Sequence, residues 1–397
     1  MAVIKVCENI YSVGVLNPSL RVFDIIMETK YGTSYNAYLV KGNDKCALIE
    51  TVHAKYFDEY LENILSITDV SKIDYLILTH TEPDHTGSLE KLLALNPNIE
   101  LVATTAGIKY ASSISNTTFK SKIVKDGDTL ELGGKTLKFI IAPFLHWPDS
   151  MFTYINEDKT LFSCDMFGCH YCEPRMFDNL IAREDAYEYS LKFYYDAIFS
   201  PFKTHVLNGI EKVAELEKDF VCTSHGPILT KHSIDTVIEQ YKSWSQSAKK
   251  EKPTVAILYV SAYGYTRILA QKAYELACEM GFDVQMCDII KHDNTKINAL
   301  ANECDILMIG SPTINRDALK PVWDTISAID AINCAKKPVF VFGSYGWSGE
   351  AVGALCQRLS QMRFDVYGEG FRVNFKPSDD DLSSFDENVR KFLTSTK

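Results

Sequence analysis

Two rhythms of apolar residues divide the chain. Up to about residue 245, short apolar runs and polar loops follow one another irregularly; after Pro253, apolar runs return between stretches long enough for helices. In the first part, Ile4–Val6, Ile10–Val15, Ala37–Val40 and Cys46–Ile49 predict strands, the last two joined as a hairpin at Gly42-Asn43-Asp44. Lys55–Leu65 puts Tyr56, Tyr60, Leu61 and Ile64 on one side of a predicted helix. A strand at Tyr75–Leu78, a helix at Ser88–Leu95, a strand at Glu100–Ala103, a helix at Ala106–Ile114 and a β segment turning at Gly133-Gly134 follow. Further strands are expected at Leu137–Ala142, Thr160–Cys164 and Phe220–Cys222. An aromatic-rich helical insertion spans Arg183–Ser200, and a helix spans Ser233–Ser247.

The lysine-bearing stretch Ser247–Pro253 reads as a linker between a mixed α/β domain at 1–248 and a second domain at 254–397. In the latter, strands at Val255–Val260, Val284–Cys287, Ile306–Ile309 and Val339–Phe342 alternate with helices. That pattern predicts a parallel sheet covered on both faces. The last helix, Leu382–Leu393, follows Asp379–Asp381, whose charges suit a helix N-terminus.

Candidate chemistry concentrates where predicted strands end. Four metal-capable side chains, His80, Glu82, Asp84 and His85, directly follow the apolar run at 75–78. In extended backbone His80 and Glu82 share a side; Pro83 is expected to keep the segment out of a helix and to turn Asp84 and His85 elsewhere. One loop would then serve two neighbouring metal ions. His146, Asp165 and His225 each follow a further predicted strand and supply what the loop lacks. In the second domain three loops fall at strand ends: Ser261-Ala262-Tyr263-Gly264-Tyr265-Thr266, Ser311-Pro312-Thr313-Ile314-Asn315 and Ser344-Tyr345-Gly346-Trp347-Ser348-Gly349. The first can hold a phosphate on backbone N–H groups at a helix N-terminus. It is neither G-x-G-x-x-G nor a Walker A sequence, which argues against a dinucleotide or ATP. Tyr345 or Trp347 can stack on a flat ring, so together the loops suit FMN at the carboxyl edge of a doubly wound sheet.

Composition narrows the class. A net charge of −11 argues against nucleic acid as a partner. No run approaches the ~20 apolar residues of a membrane span, and Met1–Asn9 lacks a signal-peptide pattern, so a cytoplasmic protein is expected. Eleven scattered cysteines point to reduced thiols, with Cys169 and Cys172 an incidental C-x-x-C pair.

Taken together, His80-x-Glu82-x-Asp84-His85, His146, Asp165, His225 and the three hydroxyl-rich loops resemble the flavodiiron proteins (A-type flavoproteins) over nearly the full length. The resemblance implies an α/β chain made of a metallo-β-lactamase-like αββα domain followed by a flavodoxin-like doubly wound domain. It implies FMN and two iron ions: His80, Glu82 and His146 on one iron, Asp84, His85 and His225 on the other, and Asp165 bridging them. It further implies reduction of O2 to water, of NO to N2O, or both, with a rubredoxin-like electron donor and a head-to-tail homodimer. His170 and Tyr195 are the candidates behind the metal ligands for proton supply or orientation. The alternative is a zinc-dependent hydrolase of the same first fold with an accessory flavodoxin-like domain, although Glu82 stands where such hydrolases usually have a second His.

Overall fold

Alternation along the strands builds the first unit's layers. In Cys46–Ile49, Leu48 faces one apolar cluster while Ala47 and Ile49 face another. In Thr136–Ile141, Phe139 joins the second of these and Ile140 a third. Side chains of successive strand residues point to opposite faces, so each strand is apolar on both sides and needs covering twice. The computed structural model, which describes residues 3–246 and 250–396, meets that need with two sheets packed face to face.

One sheet runs in the order Ile4–Cys7, Ile10–Ser12, Tyr38–Lys41, Cys46–Ile49, Tyr75–Ile77, Glu100–Ala103, Lys120–Ile123. The other runs Thr129–Glu131, Thr136–Ile141, Met151–Ile155, Thr160–Phe162, Phe220–Cys222, Leu229–Thr230. Val40, Ile77, Phe139 and Phe162 meet between them. Helices Phe57–Leu65 and Leu89–Leu95 cover the first sheet through Tyr60, Ile64 and Leu92. Helices Glu184–Tyr194, Lys203–Val213 and Ile234–Ser245 cover the second through Leu191, Val206 and Val237. The result is an αββα sandwich.

The second unit is a parallel sheet in the order Asp283–Asp288, Thr254–Tyr259, Ile306–Gly310, Pro338–Tyr345, Asp365–Val366, with Phe371–Asn374 also paired to Pro338–Tyr345. This is the flavodoxin strand order. Ala256, Leu258, Leu307, Ile309, Val339 and Val341 face one helical layer; Val255, Ile257, Ile306, Met308, Phe340 and Phe342 face the other. By contact density the chain divides into units Met1–Ser247 and Ala248–Lys397; of the expected linker, residues 247–249 lie outside the described residues.

Three local expectations need correction. Pro83 does not exclude a helix: it opens a single helical turn, Pro83–Thr86, because the first helical position needs no N–H. The run at 10–15 is two strands in different sheets, Ile10–Ser12 pairing with Tyr38–Lys41 and Val15–Asn17 with Thr33–Tyr35. Gly14 makes the crossing possible, since a Cβ there would sit 2.2 Å from the Tyr35 carbonyl oxygen and 2.7 Å from the Ala37 nitrogen. The last helix begins at Asp379 rather than Leu382, with Ser378 and Asp381 forming a capping box.

The contacts at Gly14 are with backbone that cannot yield. Gly14→Ala is therefore expected to destabilise the first unit by about 2 kcal/mol, the range of core overpacking. Urea unfolding followed by tryptophan fluorescence checks this, and an unchanged midpoint would refute the close approach.

Candidate metal centre and cofactor cleft

The strands Thr136–Ile141, Thr160–Phe162 and Phe220–Cys222 run in one direction, the first antiparallel to Met151–Ile155, which is antiparallel to the second, itself parallel to the third. Their following loops therefore leave one edge, carrying His146, Asp165 and His225. The loop after Tyr75–Ile77 in the other sheet meets them there. Backbone anchors hold that loop: Thr79 N–H and hydroxyl donate to buried Glu50, the first at 2.7 Å, and Met151 N–H donates to the Thr79 carbonyl at 2.8 Å. Thr51 donates to the His85 carbonyl through N–H (2.9 Å) and hydroxyl (2.7 Å), and Thr81 hydroxyl donates to Asp149 at 2.8 Å. Glu82 stands at the N-cap position of the helical turn without capping it, so its carboxylate is left for the site.

Seven donors converge in two groups: His80, Glu82, His146 and Asp165 in one, Asp84, His85 and His225 in the other. His146 Nε2 lies 2.9 Å from Glu82 and 3.2 Å from Asp165 Oδ2, and His80 Nε2 lies 3.6 Å and 3.7 Å from the same two carboxylates. Across the site, His85 and His225 Nε2 are each 3.1 Å from Asp84 and 3.1 Å from each other. Asp165 touches both groups with different oxygens, since Oδ1 is 3.4 Å from His85 Nε2 and 4.0 Å from His225 Nε2.

Within the cluster, His146 Nε2 pairs with Asp165 Oδ2 and His85 Nε2 with His225 Nε2. His80 Nε2, both Asp84 oxygens and Asp165 Oδ1 are buried without a hydrogen-bond partner despite their proximity. Donors aimed at a shared point rather than at each other are what a cation requires. The ring of His225 is oriented for it: Nδ1 is 2.6 Å from the Ser34 carbonyl, which can only accept, so Nε2 keeps its lone pair toward Asp84 and Asp165. In the metal-free chain, burial works against His146 charging, but Asp165 and Glu82 outweigh it and raise the imidazole to about 9. Burial likewise opposes ionisation of Glu82, yet His146 and His80 bring it down to about 2. Asp165 is held well below the carboxylate range by His80 and His225 against the same cost. The residues fit a two-metal site, with four donors in one group and three in the other.

Of the two expected outer residues, His170 lies at the site: its ring is 4.8 Å from that of His225, and Nδ1 is 2.8 Å from the Thr33 hydroxyl. Tyr195 does not. Its hydroxyl pairs with Ser245 at 2.9 Å, and its ring packs on Tyr241 and Trp244. The α-helix Glu184–Tyr194 passes into a π-helical turn at Tyr195–Phe199, which shifts the phase and leaves Tyr194 on the inward side. Tyr194 packs edge-on to His170 at 4.9 Å, and its buried hydroxyl has no hydrogen-bond partner. The sequence also hid Phe23, whose ring lies 4.3 Å from His170 and 5.5 Å from His225, on a short hairpin of two-residue strands.

In the second unit a cleft is lined by Tyr263, Tyr265, Pro312, Thr313, Ile314, Asn315, Ser344, Tyr345, Gly346, Trp347 and Ser348 from the three expected loops, with Arg316 and Phe375 added. Ser261, Gly264, Thr266, Ser311 and Gly349 support it from behind. Ser261 hydroxyl accepts from Arg267 N–H at 3.2 Å, Ser311 hydroxyl accepts from Leu319 N–H at 3.0 Å, and buried Thr266 and Ser344 hydroxyls pair at 2.9 Å. Gly264 and Gly349 precede helices Tyr265–Glu279 and Glu350–Gln361 without a side chain to cap them; Ser261 and Thr313 hydroxyls take the Arg267 and Ala351 N–H groups, and the remaining first-turn N–H groups face the loops of the cleft. These features suit a phosphate and a flat ring.

An αββα sandwich holding a two-metal site, joined to a flavodoxin-ordered sheet, defines the class of flavin-dependent diiron oxidoreductases. Comparison with known proteins gives the family. Residues 33–226 match the ODP family beta lactamase model and 257–387 the flavodoxin model. The chain is 52% identical to flavo-diiron protein FprA2 of Clostridium acetobutylicum over 96% of each, and 34% identical to type A flavoprotein fprA of Rhodobacter capsulatus over 94% of this chain and 87% of that one. Rubredoxin oxygen:oxidoreductase from Desulfovibrio gigas superposes with a TM-score of 0.67 at 29% identity, covering 99% of this chain and 98% of that one. The flavodiiron protein of Giardia intestinalis gives 0.66 at 27% identity, covering 100% and 98%. The chain belongs to the flavodiiron protein family, whose members combine FMN with a diiron site, and the hydrolase alternative is not favoured.

Because His146 keeps its proton to about 9 in the metal-free chain, metal binding must displace it. His80 and His85 are also raised well above the ordinary imidazole value, so affinity for a divalent probe such as Co2+ is expected to rise by more than tenfold per pH unit near neutral pH and less steeply above about 9. His146→Gln should lower the slope below 9 by about one proton; an identical slope in the variant would show that His146 does not supply one.

Proposed function

We propose that the chain is a flavodiiron oxygen or nitric oxide reductase, with His80, Glu82 and His146 holding one iron, Asp84, His85 and His225 the other, and Asp165 bridging. The observation that carries this is Asp165: a buried carboxylate presents one oxygen to each donor group, beside His80 Nε2 and Asp84 oxygens that have no hydrogen-bond partner. Held by these residues, a diiron centre would supply electrons for reducing a small diatomic, with FMN as its electron source. Around them the chain's own side chains govern protons and water. Burial and the nearby Asp165 push the Tyr194 phenol well above its ordinary value, so it keeps its proton at neutral pH. Burial and the neighbouring His225 hold His170 well below the usual imidazole value, so it stays neutral. Tyr194 is thus a hydrogen-bond donor at the site, and the aromatic rings of Phe23 and Phe199 help exclude water.

The donor belongs to the same reading. The name of the Desulfovibrio gigas relative couples rubredoxin to oxygen, which supports a rubredoxin-type donor here, and a head-to-tail homodimer is the assembly proposed. No helix among the described residues is long and apolar enough to cross a membrane, consistent with a cytoplasmic enzyme. The substrate is O2, NO or both.

Anaerobic stoichiometric reduction followed by separate O2 and NO pulses tests the proposal. About two irons and one FMN per chain, with rapid reoxidation by at least one gas, are expected. His225→Asn should keep the flavin but lose about 100-fold or more of gas turnover; full turnover in that variant would refute the diiron assignment.

A further inference from the structure

The flavin cleft is lined almost wholly by uncharged groups. Of the residues that line it, Arg316 alone carries a charge at neutral pH. Its position is fixed by the backbone rather than by a partner. Ile314 and Asp317 exchange two backbone hydrogen bonds of 3.0 and 3.1 Å, closing a turn whose central residues, Asn315 and Arg316, both have positive φ (53° and 65°). That geometry is the type I′ turn, whose second central position is normally glycine, and an arginine is costly there. The turn is tied down at Asp317, which accepts from Trp323 Nε1 at 3.1 Å and from Ala318 N–H at 2.7 Å. The guanidinium itself is hardly committed: its one ion pair is with Glu350, at 3.7 Å, and its side chain is 80% exposed. An exposed pair of that length is worth little.

A strained backbone position thus holds a cation, only weakly paired with Glu350, against a pocket of aromatic rings and hydroxyls. Reduction of a flavin adds negative charge to its ring, and a fixed positive charge nearby favours the reduced form over the neutral oxidised one. We propose that Arg316 sets the redox poise of the FMN site, binding the anionic reduced ring more tightly than the oxidised ring and so making the flavin easier to reduce. The inference rests on FMN being the occupant of this cleft. It does not depend on which gas the diiron site reduces.

The test is anaerobic spectroelectrochemical titration of bound flavin in the full chain, alongside FMN affinity in the oxidised and reduced states. Arg316→Gln should lower the ratio of reduced to oxidised affinity about tenfold, equivalent to about 30 mV on a two-electron couple. Arg316→Glu should lower it further, and Arg316→Lys should largely restore it. Equal weakening of both states with an unchanged potential would overturn the inference, because the arginine would then serve the phosphate alone. So would an unchanged potential with slower reduction by a protein donor, which would make it a docking charge. If Arg316→Lys and Arg316→Gly shift the potential as much as Arg316→Gln, the turn and not the charge is responsible. Failure of the wild-type chain to bind FMN would instead remove the cofactor reading on which the inference stands.

Discussion

Three carboxylates and four imidazoles share a space that water barely reaches, and the rest of the first unit answers that constraint. Glu82 and His146 are the most open of the seven, with side chains 13% and 14% exposed, while His80 and His85 are fully enclosed. Buried charges cost several kcal/mol each unless compensated. In the metal-free chain His80, His85 and His146 compensate by holding protons, each raised by its carboxylate neighbours against a burial cost that runs the other way. Two divalent cations held by the same donors would supply that compensating positive charge in place of the protons.

Such a site works only if its donors are in place beforehand. The metal-bearing loop is therefore pinned through its main chain, by Glu50 and Met151 at Thr79 and by Thr51 at His85, rather than through the ligand side chains themselves. Candidate donors such as Glu82 and His225 in turn use their remaining atoms to lock orientation. Trp147 Nε1 donates to Glu82 at 3.0 Å, and the Ser34 carbonyl fixes the His225 ring. Glu50 joins this frame at a cost, since it is fully buried and one of its oxygens has no partner.

What the sequence revealed, and what it concealed, follows from how locally each feature is specified. Metal chemistry demands particular side chains at short spacing, so His80-x-Glu82-x-Asp84-His85 was readable without any fold. Strands apolar on both faces were equally plain in Val255–Val260 and Val339–Phe342. Tyr194 and Tyr195 were not separable, because the π-helical turn that decides which one faces inward is set by packing rather than by residue type. Phe23 lies on two-residue strands that show no periodicity at all. Pro83 is ambiguous for a different reason: its effect depends on whether it sits first in a helical turn or inside one, and only the finished backbone says which.

The two sites are built on opposite principles, and the helix ends of the second unit show why. Asp293 caps Asn294–Glu303 and Ser378 caps Asp379–Ser395 with side-chain oxygens, as helices away from a ligand require. The helices after Gly264 and Gly349 have no side chain at the N-cap; the Ser261 and Thr313 hydroxyls instead accept from Arg267 and Ala351 N–H, and both helices begin in loops that form the cleft. First-turn N–H groups beyond these need solvent or an anion to complete them. A group held this way, with Trp347 90% and Tyr263 82% exposed beside it, stays open to the surface, as electron exchange with a separate donor requires. The metal donors need the reverse, a dry enclosure with fixed geometry, so the two chemistries are served by two different folds in one chain.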